Sequence, residues 1–200
     1  MLNNNKSIFY QKIGAFICIL LIAVSLIYYP HRKKSFSKNK FQIGQAIELY
    51  EFLQKQPKDI MVASLIPEAD NLPTFAQRSI LVSKEYAIPY HVGYYFPFRQ
   101  KAINLIEAQY SNDVTAIKQF IHQYNVDFFL LEQDIFTPEY IERNSWIKQH
   151  QPVANNVITN LKKGNSPALK VYQDSCSAFR INKYNLINAS CILDNIKTTN

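Results

Sequence analysis

Glycine is scarce in this chain, four residues in 200, and none of the four approaches a G-x-G-x-x-G run or a phosphate-binding loop. A glycine-rich phosphate cradle is thereby excluded. No serine stands between glycines in the G-x-S-x-G manner, which removes a nucleophile elbow. The three cysteines (Cys18, Cys176, Cys191) and four histidines (His31, His91, His122, His150) are scattered, with no zinc-ligand spacing. No metal, cofactor or catalytic residue is expected from them. Carboxylates are missing from the whole N-terminal stretch, where the first acidic residue is Glu48. Internal repeats and low-complexity tracts are missing too.

The basic excess has a location. Seven of the 22 Lys and Arg precede residue 41, and the remaining 15 are matched by 15 Asp and Glu. A nucleic-acid binder needs its basic surface on the folded part, where it neutralises phosphates, so no nucleic-acid partner is expected. The excess instead flanks an uncharged run, Ile13–Tyr29. Basic residues beside an apolar helix suit anionic headgroups, at about 1 kcal/mol each near the surface.

That run predicts a transmembrane helix over 13–29, with 1–12 as its N-terminal flank and the bilayer as its partner. Its 17 residues reach ~25 Å at about 1.5 Å each, the short end for a span. Lys12 can snorkel, Tyr28 and Tyr29 suit the interfacial belt, and Pro30 is expected to stop the helix. The rival is a cleavable signal peptide with Ala23-Val24-Ser25 as its small-x-small site, though that site lies inside the apolar run. Residues 30–40 read as a basic linker. By the positive-inside bias, five basic residues after the helix against two before it place the following domain in the cytoplasm.

From residue 41 to 200 the pattern is that of a soluble α/β domain. Ile43, Ala46, Ile47, Tyr50 and Leu53 have helical spacing, ended by Pro57. Residues 60–65 suit a buried strand, 71–78 a turn or short helix, and 79–83 a second strand. Residues 84–97 form a long aromatic loop before a helix on which Phe98, Ala102, Leu105, Ile106 and Gln109 share a face. Ser111 or Asn112 caps the next helix, with Ile117, Phe120, Ile121 and Tyr124 as its stripe. Residues 126–131, VDFFLL, are the clearest strand, apolar enough for burial on both faces. Thr137 and Pro138 open a further helix as N-cap and first residue. Strands separated by helices predict a three-layer domain with a mostly parallel sheet.

The C-terminal stretch predicts a strand at 168–172 and an antiparallel hairpin over 175–193. With Lys183-Tyr184 at its centre, Cys176 and Cys191 lie opposite one another on one face. A disulfide and two small buried thiols are both open, and an oxidised pair implies an extracytoplasmic domain. Cys18 reads as a packing residue of the membrane helix.

Residues 78–98, RSILVSKEYAIPYHVGYYFPF, carry the candidate binding residues Arg78, Glu85, Tyr86, Tyr90, His91, Tyr94 and Tyr95. Phenols, an imidazole and a carboxylate on a proline-restricted loop can hold a sugar or a phosphate headgroup. The same tyrosines also suit a membrane interface or a simple cover for the sheet. Glu132 and Asp134 follow the VDFFLL strand, where ligands often meet parallel sheets; they equally suit a solvated strand end.

The run from ELYEFLQKQPKDIMVASLIPEADNLPTFAQRSILVSKEYAIPYHVGYYFPFRQKAINLIEAQYS to YNVDFFLLE resembles the C-terminal soluble domain of bacterial polytopic glycosyltransferases of the GT-C class, relatives of the mannosyltransferases that use dolichyl-phosphate-mannose. The resemblance covers residue 41 to the end, with the apolar helix standing for a last membrane span. It implies a domain outside the cytoplasm and a place in lipid-linked sugar transfer, with a polyprenyl-linked sugar or a polytopic membrane protein as partner. The class carries its catalytic carboxylate in an early loop between many membrane helices. This chain has one such helix and no acid before Glu48, so no catalytic residue carries over. An accessory module that is inactive alone is the expected function. A single-pass scaffold with a cytoplasmic domain and an inactive truncated remnant are the alternatives.

Overall fold

The computed structural model describes residues 3–36 and 44–199. The chain separates into two compact units, Met1–Ile43 and Gly44–Asn200. The described residues of the first form the helix α1 (Asn3–Phe36). It runs through Pro30, where a stop was expected, and takes in residues 30–36 of the expected linker. A proline removes one backbone bond of the ladder and leaves the turns on either side intact, so a long helix can absorb it. The rest of that linker lies outside the described residues. Along α1 the side chains of Phe16, Ile17, Ile19, Leu20, Leu21 and Ile22 are all exposed, on every face of the helix. Among the described residues no helix is long and apolar enough to cross a membrane, so the span expected over 13–29 is not carried by them.

The second unit is a mixed α/β domain on a five-stranded sheet ordered β2-β1-β3-β5-β4. Helix α2 (Ile47–Gln54) buries Leu49, Tyr50 and Leu53 and leads to β1 (Met61–Ser64). A 3₁₀ turn (Pro67–Asn71) and a π turn (Leu72–Ala76) carry the chain to β2 (Ser79–Ile80). Then come α3 (Val92–Tyr110), α4 (Val114–Tyr124) and β3 (Phe128–Glu132). All five residues of β3 are buried, which fits the central place that its continuous apolar run predicts. β2, β1 and β3 are parallel.

The remaining helices are α5 (Pro138–Arg143), α6 (Ser145–Lys148), α7 (Val153–Lys162) and α8 (Ala168–Ser175). The chain closes with β4 (Ser177–Ile181), β5 (Tyr184–Asn188) and α9 (Ala189–Thr199). β5 is antiparallel to β3 and to β4. The sheet is therefore mixed rather than mostly parallel, because the chain returns through a hairpin, not a crossover.

Caps set several boundaries. The Thr137 hydroxyl accepts from the Tyr140 amide (3.2 Å) ahead of Pro138, as expected. The start of α4 is capped by Asp113, whose carboxylate accepts from the Thr115 amide (2.8 Å). Ser111, an expected cap, sits two residues outside and accepts from the Asp113 amide (3.0 Å). Residues 168–172 are helix rather than strand. Leu169 and Tyr172 stand three apart and give α8 one inward face, a spacing that a short stretch shares with either periodicity.

The hairpin is shorter than predicted. Its register pairs Ile181 with Tyr184 and Arg180 with Asn185, so the turn is Asn182-Lys183, with Asn182 left-handed at φ 49°. After Asn188 the chain is helical, burying Ala189, Ile192 and Ile196 along one face. Cys176 and Cys191 are nevertheless joined by a disulfide (S–S 2.02 Å, Cα–Cα 5.5 Å). Strand register does not bring them together. Cys176 is the residue that ends α8, and Cys191 lies in the first turn of α9.

Candidate functional site

Two polar clusters form at the sheet edge where β1 and β3 end. Glu68, on the turn after β1, is buried. Its Oε1 accepts from the Tyr50 hydroxyl and from Asn71 Nδ2 (3.0 Å), and its Oε2 from the Tyr184 hydroxyl (3.0 Å). One carboxylate thus ties α2, the turn and the start of β5. Burial first, and then the charge of Glu68, push both phenols well above the ordinary tyrosine value. Tyr50 also stacks on Phe75 (5.3 Å between centroids) and lies over Gly44, where any side chain would collide with both rings.

Glu132, the last residue of β3, is buried and paired with Lys183 (2.7 Å). Asp134 instead makes an exposed pair with Arg143. Burial, followed by the charge of Glu132, raises the neighbouring Tyr140 phenol strongly. Both carboxylates are engaged by donors from other elements, so this edge holds the sheet's ends together rather than offering an acid or base to solvent. Among the described residues no group of acids, histidines and cysteines is placed to hold a metal.

The cavity lies instead beside β2. A cleft of ≈ 520 Å³ is floored by residues 79–83 and walled by Pro73, Tyr86, Gly93, Tyr94, Pro97, Phe98 and Lys101. Its wall is the N-terminal half of α3, which begins at Val92 and contains Pro97. The loop expected over 84–97 is therefore partly helix, and Pro97 lies inside it at the loss of one backbone bond of the ladder. The Tyr94 hydroxyl donates to the Tyr86 carbonyl (3.0 Å) and its ring stacks on Phe98 (5.6 Å). Ser83 in the floor is buried, and its hydroxyl has no partner among the described residues.

Of the residues singled out in the sequence, Tyr86 and Tyr94 stand in this cleft. Tyr90 and His91 lie on a shallow shelf next to it, rings 4.8 Å apart. Tyr95 is half-buried against Phe96, and exposed Glu85 donates its amide to Asp70 (3.1 Å). Arg78 is elsewhere and buried. Its guanidinium donates to the carbonyls of Gln54 (2.6 Å), Gln56 (2.5 Å), Ala76 (3.3 Å) and Gln77 (2.8 Å). It closes the end of α2, where helix carbonyls lack partners, and its charge does not face the cleft. Phe98, Lys101 and Ser83 are the cleft residues that sequence reasoning missed. Tyr94, Phe98 and Lys101 follow i, i+4, i+7 spacing, legible once the helix is begun at Val92.

A further buried group stands apart from the cleft. His150 has neither ring nitrogen partnered among the described residues, and its ring meets Trp146 edge-on (5.8 Å). Burial, with a smaller contribution from the charge of Arg99, lowers its pKa to about 4.

No protein-family model and no curated protein sequence matches the chain. Among solved structures it is similar to the C-terminal globular domain of an oligosaccharyltransferase, AfAglB-S2, from Archaeoglobus fulgidus. The TM-score is 0.50 at 9% identity, over 70% of this chain and 94% of that one. What the two share is a fold. At that identity the likeness extends to the backbone and not to side-chain roles. The expected resemblance to the C-terminal domain of a glycosyl-transferring enzyme is met at this level.

Proposed function

We propose that the chain is a membrane-anchored, extracytoplasmic module that serves lipid-linked sugar transfer without performing the chemistry, and that its parent type is the bacterial mannosyltransferase-like GT-C enzyme. The observation that carries the reading is the cleft beside β2. Aromatic faces and a lysine, set in an apolar wall, are the furniture of a site that takes a ring-shaped, anionic ligand. Tyr86, Tyr94 and Phe98 would lie against sugar rings or the first isoprene units, and Lys101 against the diphosphate. The fold likeness to an oligosaccharyltransferase domain supports the ligand class. Glu68 and Glu132, both committed to internal donors, support a role short of catalysis.

The anchor is α1. Its apolar side chains point to every side, a pattern that belongs either in a protein core or in lipid, and none of those described is covered. The Cys176–Cys191 disulfide favours an oxidising compartment. The charge count around the helix favours the opposite orientation, which is the reading of a scaffold with a cytoplasmic domain.

Sidedness is tested with a membrane-impermeant maleimide on intact cells. Labelling of Cys176 and Cys191 only after reduction is expected; protection until lysis overturns the placement and favours the scaffold. The ligand is tested with an undecaprenyl-diphosphate sugar added to the detergent-solubilised chain. Tyr94→Ala and Lys101→Ala are each expected to weaken binding on the order of tenfold, the loss of one or two well-placed contacts, with no sugar released or transferred. Binding unchanged by both substitutions removes the cleft from the reading.

A further inference from the structure

The exposed large apolar side chains of the second unit are concentrated in one place. Among its described residues five fall between Tyr86 and Phe96, and elsewhere only Ile47, Phe75 and Val171 are exposed. Tyr90 is 78% exposed and Phe96 63%. All five belong to the loop before α3 and its first turns; Tyr86 and Tyr94 line the cleft, and Tyr90, Val92 and Phe96 stand outside it. A water-facing surface has no use for such a cluster, and clusters of this kind mark places where something docks.

We infer that this shelf, which carries Tyr90, His91 and Val92 and is followed one turn along α3 by the exposed Phe96, rests on the headgroup region of the bilayer. The occupant is identified by composition and charge. Tyrosine is the side chain of membrane interfaces, with an apolar ring for the acyl boundary and a hydroxyl for the headgroups. Across residues 84–101 the charged side chains are Lys84, Arg99 and Lys101 against Glu85 alone, a net positive segment suited to anionic lipid. The inference rests on the reading of α1 as an anchor. With the shelf on the headgroups, the cleft beside it opens where the sugar of a polyprenyl-linked donor emerges.

The test uses the full chain in vesicles of phosphatidylcholine and phosphatidylglycerol, without brominated lipid, with lipids brominated near the headgroup to report on the shelf, and with lipids brominated near the acyl-chain ends to report on Leu20. Single tryptophans are introduced as Tyr90→Trp, Phe96→Trp, Val171→Trp and Leu20→Trp, with the buried native Trp146 as a constant background. Each site is exposed, so the fold tolerates the change. Phe96→Trp and Tyr90→Trp are expected to be quenched at least about twice as strongly as Val171→Trp, and less so when phosphatidylglycerol is omitted. Quenching at Leu20→Trp with none at Tyr90→Trp and Phe96→Trp overturns the docking, leaves the anchor standing and hands the shelf to a protein partner. No quenching at Leu20→Trp overturns the anchor and the docking together.

Discussion

Glu68, Arg78 and His150 each hold a buried polar position, and each answers differently to substitution. Glu68 serves three donors from separate elements. Its replacement by alanine leaves two phenols buried without an acceptor, and Glu68→Ala is expected to cost about 3 kcal/mol in urea unfolding. Glu68→Gln keeps one acceptor and is expected to cost less, while adding Tyr184→Phe to Glu68→Ala recovers part of the loss. Arg78 donates to four carbonyls that a single ammonium cannot reach in the same plane. Arg78→Lys is therefore expected to lose about 2 kcal/mol of stability and leave ligand binding unchanged. His150 is neutral when folded, at about 4 against 6.5 for the free side chain. Between those values unfolding takes up a proton. Its contribution to stability is complete above pH 6.5, declines as the pH falls through this window by up to about 1.4 kcal/mol per unit, and levels off below pH 4. His150→Phe is expected to flatten that slope in urea titrations between pH 4 and 7.

At the level of elements, ends matter more than middles. The disulfide joins the end of α8 to the first turn of α9 across a separation of 15 residues, and β4 and β5 lie within the loop it closes. The paired change Cys176→Ser and Cys191→Ser is expected to cost about 3 kcal/mol, the closure entropy of a loop of that length, measured as a lower urea midpoint. Local sequence pattern is ambiguous at two elements, α8 and the start of α3. Residues 168–172 alternate in a way that fits either periodicity, and only the packing of Leu169 beneath a neighbouring helix decides for α8. The start of α3 was hidden by Pro97 and Gly93, which read as loop residues although the helix contains both. The same pattern concealed Lys101 as a member of the cleft. The apolar stripes of α3 and α4 and the buried run of β3 were legible, because long periodic segments declare their faces before any partner is known.

For the molecule as a whole, the likeness to an oligosaccharyltransferase domain comes with different side chains, so what the two share is a fold. The cleft beside β2 is described by this chain's own side chains. Its floor and wall lie within one stretch of sequence, residues 73–101, which is why the aromatic segment could be singled out from composition alone. Glu68's bond to Tyr184 spans 116 positions and could not be.

Composition and periodicity alone determined the apolar N-terminal helix, the neutrality of the following domain, its α/β class and the burial of β3. These depend on the chemistry of neighbouring residues, which a linear reading contains. Tertiary structure alone decided that the sheet is mixed, that Arg78 closes a helix, that Glu68 is enclosed by phenols and that Cys176 meets Cys191 through helix ends. Each of these depends on distances between residues far apart in the chain, and such distances exist only after the hydrophobic faces have packed.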